Sequence, residues 1–304
     1  MHEATFQNST PPAFDQTGKK QMTHVPRMTR VLLICGLIAG PFYIVVSLIL
    51  ALTRPGFDIL RHDVSLLANG NLGWIQVMNF VLSGLLVLAF AVGMRRVLRG
   101  SRGGTWGPVL IGVYGLGLIG AGFFTADPAF GFPPGTPADA HTISWHGLLH
   151  IVTAGIGFLA LIAACFVLAR RFASRRQRGW AAYSLATGVI FFAAFVGVAT
   201  GSGQSWSVVG FWIGVVFAWA WIWALARKLL RWEAAGRALD RGSQNSRNKA
   251  STYHQSHQRT SRGPSLALIG ERSTWWVKPA PCKTAWSRFC VLLEGASSEQ
   301  LRVC

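Results

Sequence analysis

Six apolar segments alternate with polar stretches along most of the chain, and each is long enough to cross a lipid bilayer. A stretch of about 18 or more apolar residues reads as a membrane-spanning helix, because each helical residue advances the chain by ~1.5 Å. The predicted spans are residues 31–52, 74–94, 107–126, 147–169, 180–200 and 208–226. The pattern therefore predicts an all-α fold, a polytopic bundle of six transmembrane helices.

Outside residues 31–226, the pattern predicts three further regions. Residues 1–30 are polar and show no sustained period, which predicts a flexible cytoplasmic tail. In residues 227–241, apolar side chains recur at helical spacing among basic ones, which predicts a short basic helix lying on the membrane surface. Residues 242–304 are rich in Ser, Arg, Gln, Asn and His without clear periodicity, which predicts a disordered cytoplasmic tail.

The positive charge falls almost wholly on one side of the predicted membrane. The net charge is +18, and of 29 lysines and arginines only Arg54 and Arg61 lie in the loops that follow odd-numbered spans. Basic residues mark the cytoplasmic side, so both termini are predicted to be cytoplasmic in a multi-pass protein of the plasma (inner) membrane. The basic residues then contact the anionic inner leaflet of the bilayer, and no nucleic-acid partner is expected.

The residues that could carry chemistry gather in the outer loops and at the adjoining helix ends. His62 and Asp63 lie in the first outer loop, Asp127 follows the third span, and His146 and His150 open the fourth. Because these positions share one membrane face, their side chains are candidates for a single site.

A zinc site is the most specific chemistry that this cluster could support. His146 and His150 are spaced i, i+4, which places both rings on one face of a helix, and Ser144 is the predicted N-cap of that helix. A helix N-terminus favours the neutral imidazole that binds metals. With Asp127 and His62, the pair would form a nitrogen and oxygen site suited to zinc. The alternative is interfacial histidines with backbone or water partners.

Asp127 has two competing explanations. It precedes Pro128, and a residue before proline is pushed out of the helical region, so the third helix is expected to stop there. A carboxylate at a helix C-terminus meets the negative end of the dipole, and ionisable residues near the lipid boundary tend to be functional. The alternative is a solvated Asp-Pro turn.

Glycines are concentrated in the third span, where Gly115, Gly117 and Gly120 spell G-x-G-x-x-G. The dinucleotide-binding fingerprint requires this motif after a strand and at the start of a helix. Here it lies in the middle of an apolar span, so we expect close helix packing instead.

Three stretches together resemble a known family. They are His-Asp-Val-Ser-Leu-Leu at residues 62–67, the glycine-rich span ending in Asp127-Pro128, and His-Gly-Leu-Leu-His at residues 146–150. In these stretches the chain resembles a bacterial membrane family known as domain of unknown function 998, over about residues 31–226. The resemblance implies a six-helix bundle and no established activity. More loosely, the polar cluster is similar to zinc-dependent membrane amidases related to alkaline ceramidase, which have seven helices.

Three functions compete, and whether the protein is an enzyme stays open. The one we expect is a non-catalytic bundle that acts as a scaffold, a sensor or a partner-binding protein. The second is a metal-dependent hydrolase of a lipid or amide at the outer face, with possible zinc held by His62, Asp127, His146 and His150 and a bound water as nucleophile. The third is a small-solute carrier, which the lack of ionisable residues at mid-membrane disfavours.

Overall fold

The computed structural model describes residues 27–100, 103–140, 143–201 and 203–261 of the 304-residue chain. The α-helices within these residues are α1 Arg27–Thr53, α2 Gly73–Val97, α3 Gly103–Phe123, α4 Trp145–Ser174, α5 Arg178–Thr200 and α6 Ser205–Ser261. A short 3-10 helix, Val64–Ala68, lies between α1 and α2. These six helices are long and apolar enough to span a membrane, and no strand occurs in the described part. The predicted six-helix, all-α architecture is confirmed.

Helix α6 ends later than the sequence indicated. The basic helix was expected to stop at residue 241, yet α6 continues to Ser261. Extending an existing helix adds one hydrogen bond per residue, so a polar segment can follow a stable apolar helix at little cost. By their contacts the described residues divide into two units, one up to residue 247 and one from residue 248. Of the tails predicted over residues 1–30 and 242–304, residues 27–30 and 242–261 are helical, and residues 1–26 and 262–304 lie outside the described part of the chain.

Consecutive helices from α1 to α5 pack against one another, and α6 packs against several of them. The Trp219 ring of α6 lies 5.1 Å from Tyr43 of α1 and 5.8 Å from Tyr114 of α3, measured between ring centroids. Trp221 of α6 donates from Nε1 to the Ser184 hydroxyl of α5 at 3.0 Å. Helix α6 thus joins helices that are distant in the sequence.

Glycine allows α3 to approach its neighbours closely. A Cβ on Gly117 would lie 2.7 Å from the Cα of Gly157 in α4, and a Cβ on Gly115 would lie 2.9 Å from the Gly84 carbonyl oxygen in α2. Real Cβ atoms do not come so near to backbone, so only glycine fits at these crossings. The packing role predicted for the glycines of the third span is confirmed.

A buried polar group also joins α1 to α2. The Asn79 amide nitrogen donates to the Tyr43 carbonyl and to the Ser47 hydroxyl, each at 3.1 Å, and the Gln76 amide nitrogen donates to that hydroxyl at 3.3 Å. Where no water is available, polar side chains on neighbouring helices satisfy one another and hold the pair together.

The outer surface of the bundle is apolar, as a bilayer requires. Large apolar side chains on α1 are exposed, including Val31, Val45, Ile49 and Leu52. Soluble monomers rarely expose apolar patches of such extent. Trp74, Trp145 and Trp206 stand at the N-terminal ends of α2, α4 and α6 and are more than half exposed. Indole rings favour the headgroup level of a bilayer.

Candidate functional site

Three loops meet at one end of the bundle, which we call the loop face: residues 54–72, 124–144 and 201–204, of which 141–142 and 202 are outside the described part. Two contacts bring them together. The His62 ring binds the Phe130 carbonyl, and a Cβ on Gly203 would lie 2.6 Å from the Phe130 ring. Phe130 has a φ of 56°, an uncommon conformation for an aromatic residue. The loop face is therefore one connected structure.

His62 links the first two loops. Its Nδ1 accepts from the Asp58 N–H at 2.8 Å, which leaves Nε2 to donate to the Phe130 carbonyl at 3.1 Å. The ring packs against Phe57 and Phe132, with centroids 5.2 and 5.5 Å away. Both nitrogens of this buried ring have backbone partners, so metal binding at His62 would first break one of these bonds.

Arg54 organises the first loop from within. Its guanidinium donates to the carbonyls of Leu67 at 3.3 Å and Asn69 at 2.7 Å, and lies over the Phe132 ring at 5.2 Å. Burial lowers the pKa of this group. Its donors satisfy backbone carbonyls, and no carboxylate in the described part of the chain forms an ion pair with it.

Asp127 belongs structurally to the start of α4 and not to the end of α3. Helix α3 ends at Phe123, before the predicted position, so Asp127 does not oppose the dipole of its own helix. Its carboxylate accepts from the Ser144 N–H at 2.8 Å and from the Ser144 hydroxyl at 2.6 Å. That hydroxyl accepts from the Gly147 N–H at 3.1 Å, which confirms Ser144 as the N-cap. A negative charge is favourable at this helix end.

The i, i+4 histidines of α4 have different environments. His150 is 7% exposed, and its Nδ1 lies 2.7 Å from the Phe124 carbonyl oxygen and 3.1 Å from that of Ala121. Carbonyl oxygens only accept, so Nδ1 carries the hydrogen and Nε2 is the acceptor of the neutral ring. His146 is exposed, and its ring centroid lies 3.6 Å from that of Trp145.

A cavity of about 520 Å³ opens among the helices and reaches the loop face. Its volume is within the range of sites that bind small molecules. Besides two tyrosines, the titratable groups in its lining are Asp63, Asp127 and His150. The apolar part of the lining includes Phe80, Leu118, Phe158, Phe195, Phe211 and Val215, contributed by five helices. The cavity is therefore largely apolar, with a small number of polar groups.

Of these groups, Asp63 has the fewest hydrogen-bond partners for its side chain. It precedes the 3-10 helix but makes no side-chain cap, and its Oδ1 is inaccessible to solvent and accepts no hydrogen bond from the described residues. Burial raises the pKa of this carboxyl to about 6, from an ordinary value near 3.8. Leaving a buried carboxylate oxygen without a donor is unfavourable, so this group needs an explanation.

The four predicted zinc ligands do not gather at one point. Asp127 and His150 line the cavity, whereas His62 and His146 do not. Among the described residues, no three His, Cys, Asp or Glu side chains are grouped so that they could hold a metal ion. The packing of α4 against α3 buries His150 and leaves His146 at the surface, which separates the pair. The zinc site stays a prediction from the sequence.

Part of the cavity lining could not be identified from the sequence. Tyr43, Tyr114 and Trp219 come from three helices and meet only because the bundle folds. Aromatic residues in apolar spans are common, and nothing in their spacing separates lining residues from packed ones. Asp63 was recognisable as a polar residue of the His62-Asp63 pair, but not as a cavity residue.

Comparison with protein families agrees with the resemblance noted in the motifs. A family model described as "Protein of unknown function (DUF998)" matches residues 37–228. The matched segment runs from α1 into α6 and contains every residue of the cavity lining. No curated protein and no solved structure matches the chain. Because the match covers more than half of the chain, this helical membrane protein belongs to the DUF998 family.

Proposed function

We propose that this protein is a non-catalytic membrane bundle that binds a small, largely apolar molecule in the cavity at the loop face. The observation that carries the proposal is the cavity itself, about 520 Å³ in volume and lined mainly by aromatic and aliphatic side chains from six helices and two loops. Apolar cavities with a few polar groups are the usual form of small-molecule sites. Binding there would make the protein a receptor or sensor.

The cavity also reaches the surface that lipid would cover. Ile151 of α4 lines it and is 57% exposed, and its neighbours Ala154 and Gly155 line it as well. From α5, Phe195 and Val198 complete this side. A ligand dissolved in the bilayer could therefore enter between α4 and α5 without crossing water.

Photolabelling of the protein in lipid nanodiscs tests the proposal. The probe is octanol that carries a diazirine, a neutral molecule with an apolar chain. We expect crosslinks on lining residues such as Phe158 and Phe195, and competition by unlabelled octanol. Crosslinks confined to lipid-facing residues such as Ile38 and Ile49 would contradict the proposal.

Two glycine substitutions provide a matched pair for this experiment. Gly155 lines the cavity, and a Cβ there would meet only the Phe195 ring, at 4.0 Å. Gly155→Leu should fill the cavity and reduce labelling of its lining at least tenfold. Gly210 of α6 is outside the lining and has no atom within 4 Å of such a Cβ. Gly210→Leu should leave labelling unchanged, and equal loss in both variants would contradict the proposal.

The alternative of a metal-dependent hydrolase makes a different prediction. It requires Asp127 and His150 to acquire further ligands, and His62 and His146 are engaged elsewhere. Zinc analysis of the purified protein separates the two functions. If the purified protein contains stoichiometric zinc and His150→Ala removes it, the hydrolase is the better explanation and our proposal is wrong.

We further propose that the loop face is the outer face of the plasma membrane, with both termini in the cytoplasm. The asymmetry of basic residues supports this orientation, since only Arg54 and Arg61 lie in the loops of the loop face. At the opposite end, residues such as Arg175, Arg178 and Arg227 would contact the anionic inner leaflet.

A further inference from the structure

We propose that the ligand of the cavity carries a cationic group, an amine or quaternary ammonium, that binds against Asp63 and Asp127 while its apolar chain lies among α3, α4, α5 and α6. This inference rests on the proposed function and specifies the chemical class of the ligand. It joins two features of the cavity, its apolar lining and its unbalanced negative charge.

The first observation is the carboxylate of Asp63. Its Oδ1 is closed to solvent and lacks a donor among the described residues. Two cations occupy the same loop, but neither pairs with it. The Arg54 guanidinium is engaged by the carbonyls of Leu67 and Asn69, and Arg61 is exposed. A cationic group in the cavity would give this carboxylate the counter-charge that no side chain in the described part of the chain supplies.

The second observation is the charge of the whole lining. Asp63 and Asp127 both line the cavity, and no lysine or arginine does. No basic side chain in the described part of the chain forms an ion pair with either carboxylate. Asp127 accepts two hydrogen bonds from Ser144, which orient its carboxylate without neutralising its charge. Within low-dielectric walls, two uncompensated carboxylates favour a cation over a neutral or anionic group.

The third observation is the group of aromatic rings in the same lining. The Trp219 ring contacts both Tyr43 and Tyr114, and Phe80 lies 5.9 Å from Tyr43 between centroids. Ring faces attract ammonium groups, most strongly where water is excluded. A lining with both carboxylates and aromatic rings suits an alkylammonium better than a strongly hydrated inorganic cation.

Three probes of equal chain length test the inference. They are octyltrimethylammonium, octanol and octyl sulfate, each measured as a competitor of the octanol photolabel on the full chain in nanodiscs. We expect the cation to compete at a concentration at least tenfold lower than octanol, and the sulfate to be the weakest. If the sulfate competes as well as the cation, the inference is overturned, while the proposed function stands as long as octanol competes.

Two substitutions in one loop give the matched variants. Asp63→Asn removes the charge in the lining and should raise the competing concentration of the cation about tenfold without changing that of octanol. Asp58→Asn removes an exposed charge that does not line the cavity, and should change neither. An unchanged cation affinity in Asp63→Asn overturns the inference.

The comparison of the three probes on the unaltered protein decides the question even if Asp63→Asn fails to fold. Failure of octanol itself to label the cavity would overturn the proposed function instead.

Discussion

His62 is held by backbone groups of two loops, and its removal would leave both without partners. In His62→Ala, the Asp58 N–H and the Phe130 carbonyl lose their hydrogen bonds, and Phe57 and Phe132 lose a packed ring. We expect a loss of about 2–4 kcal/mol in the free energy of unfolding, from two hydrogen bonds and a buried side chain. The thermal unfolding midpoint in detergent should fall by several degrees.

The control for this prediction is the exposed histidine of α4. His146 is exposed, and its ring contacts Trp145 and Phe124 at the surface. His146→Ala should change the free energy of unfolding by no more than about 0.5 kcal/mol, as is usual for surface positions. Equal destabilisation by the two substitutions would contradict the roles that the structure assigns to these rings.

Asp63 should make stability depend on pH in the ligand-free protein. Its folded-state pKa of about 6 lies above the ordinary value near 3.8, so the folded protein binds this proton more tightly than the unfolded chain does. The stability linked to this group is fully present below about pH 4 and is lost as pH rises through 6. Above that pH, wild type should be less stable than Asp63→Asn by on the order of 2 kcal/mol.

Unfolding curves of the two proteins at pH 4 and pH 7 measure this effect. The other titratable groups of the lining are Asp127, His150 and two tyrosines. They are common to both proteins, so the difference in stability between the proteins isolates Asp63. A difference in stability that does not vary between these pH values would show that the Asp63 carboxyl is solvated.

At the scale of elements, the crossing of α3 and α4 depends on Gly117. A Cβ at this position would lie 2.7 Å from the Gly157 Cα and 2.8 Å from the Thr153 carbonyl oxygen, both backbone atoms that cannot move alone. Gly117→Ala should therefore separate the two helices and cost about 1–3 kcal/mol or more, as overpacking does. Thermal unfolding in detergent measures the loss.

Gly112 of the same helix provides the control. A Cβ there would meet only side-chain atoms of Ala91 and Leu88, at 3.9 Å, which is an ordinary contact. Gly112→Ala should be neutral or stabilising by up to about 1 kcal/mol, because alanine is the better helix former. If Gly117→Ala left the unfolding midpoint as high as Gly112→Ala does, α3 and α4 would not approach each other as closely as described.

At the scale of the whole molecule, the orientation in the membrane decides which compartment supplies the ligand. In a cysteine-free background, Ala138→Cys places a thiol on the loop face and Ser174→Cys places one at the opposite end, and both positions are exposed. A membrane-impermeant thiol reagent added outside the cell should label residue 138 and spare residue 174. The reverse pattern would move the cavity opening to the cytoplasm.

The number of spans and the start of α4 were predictable because each depends on neighbouring residues. Hydropathy over about 20 residues identifies a span whatever surrounds it in the bundle. Ser144 was recognisable as an N-cap because its hydroxyl binds the backbone only three residues away. The glycines of α3 indicated close packing for a similar reason, since small residues serve few other purposes within an apolar span.

Which polar residues share a site depends on how the helices and loops pack. The i, i+4 spacing placed His146 and His150 on one side of a helix, but the packing of α3 buried one ring and left the other at the surface. Asp127 acquired its partner from residue 144, across a loop whose path the sequence does not show. Spans and caps can be read from the sequence alone, because their energies come from contiguous residues. The cavity and its unpaired Asp63 arise from contacts between distant segments, whose geometry no local pattern encodes.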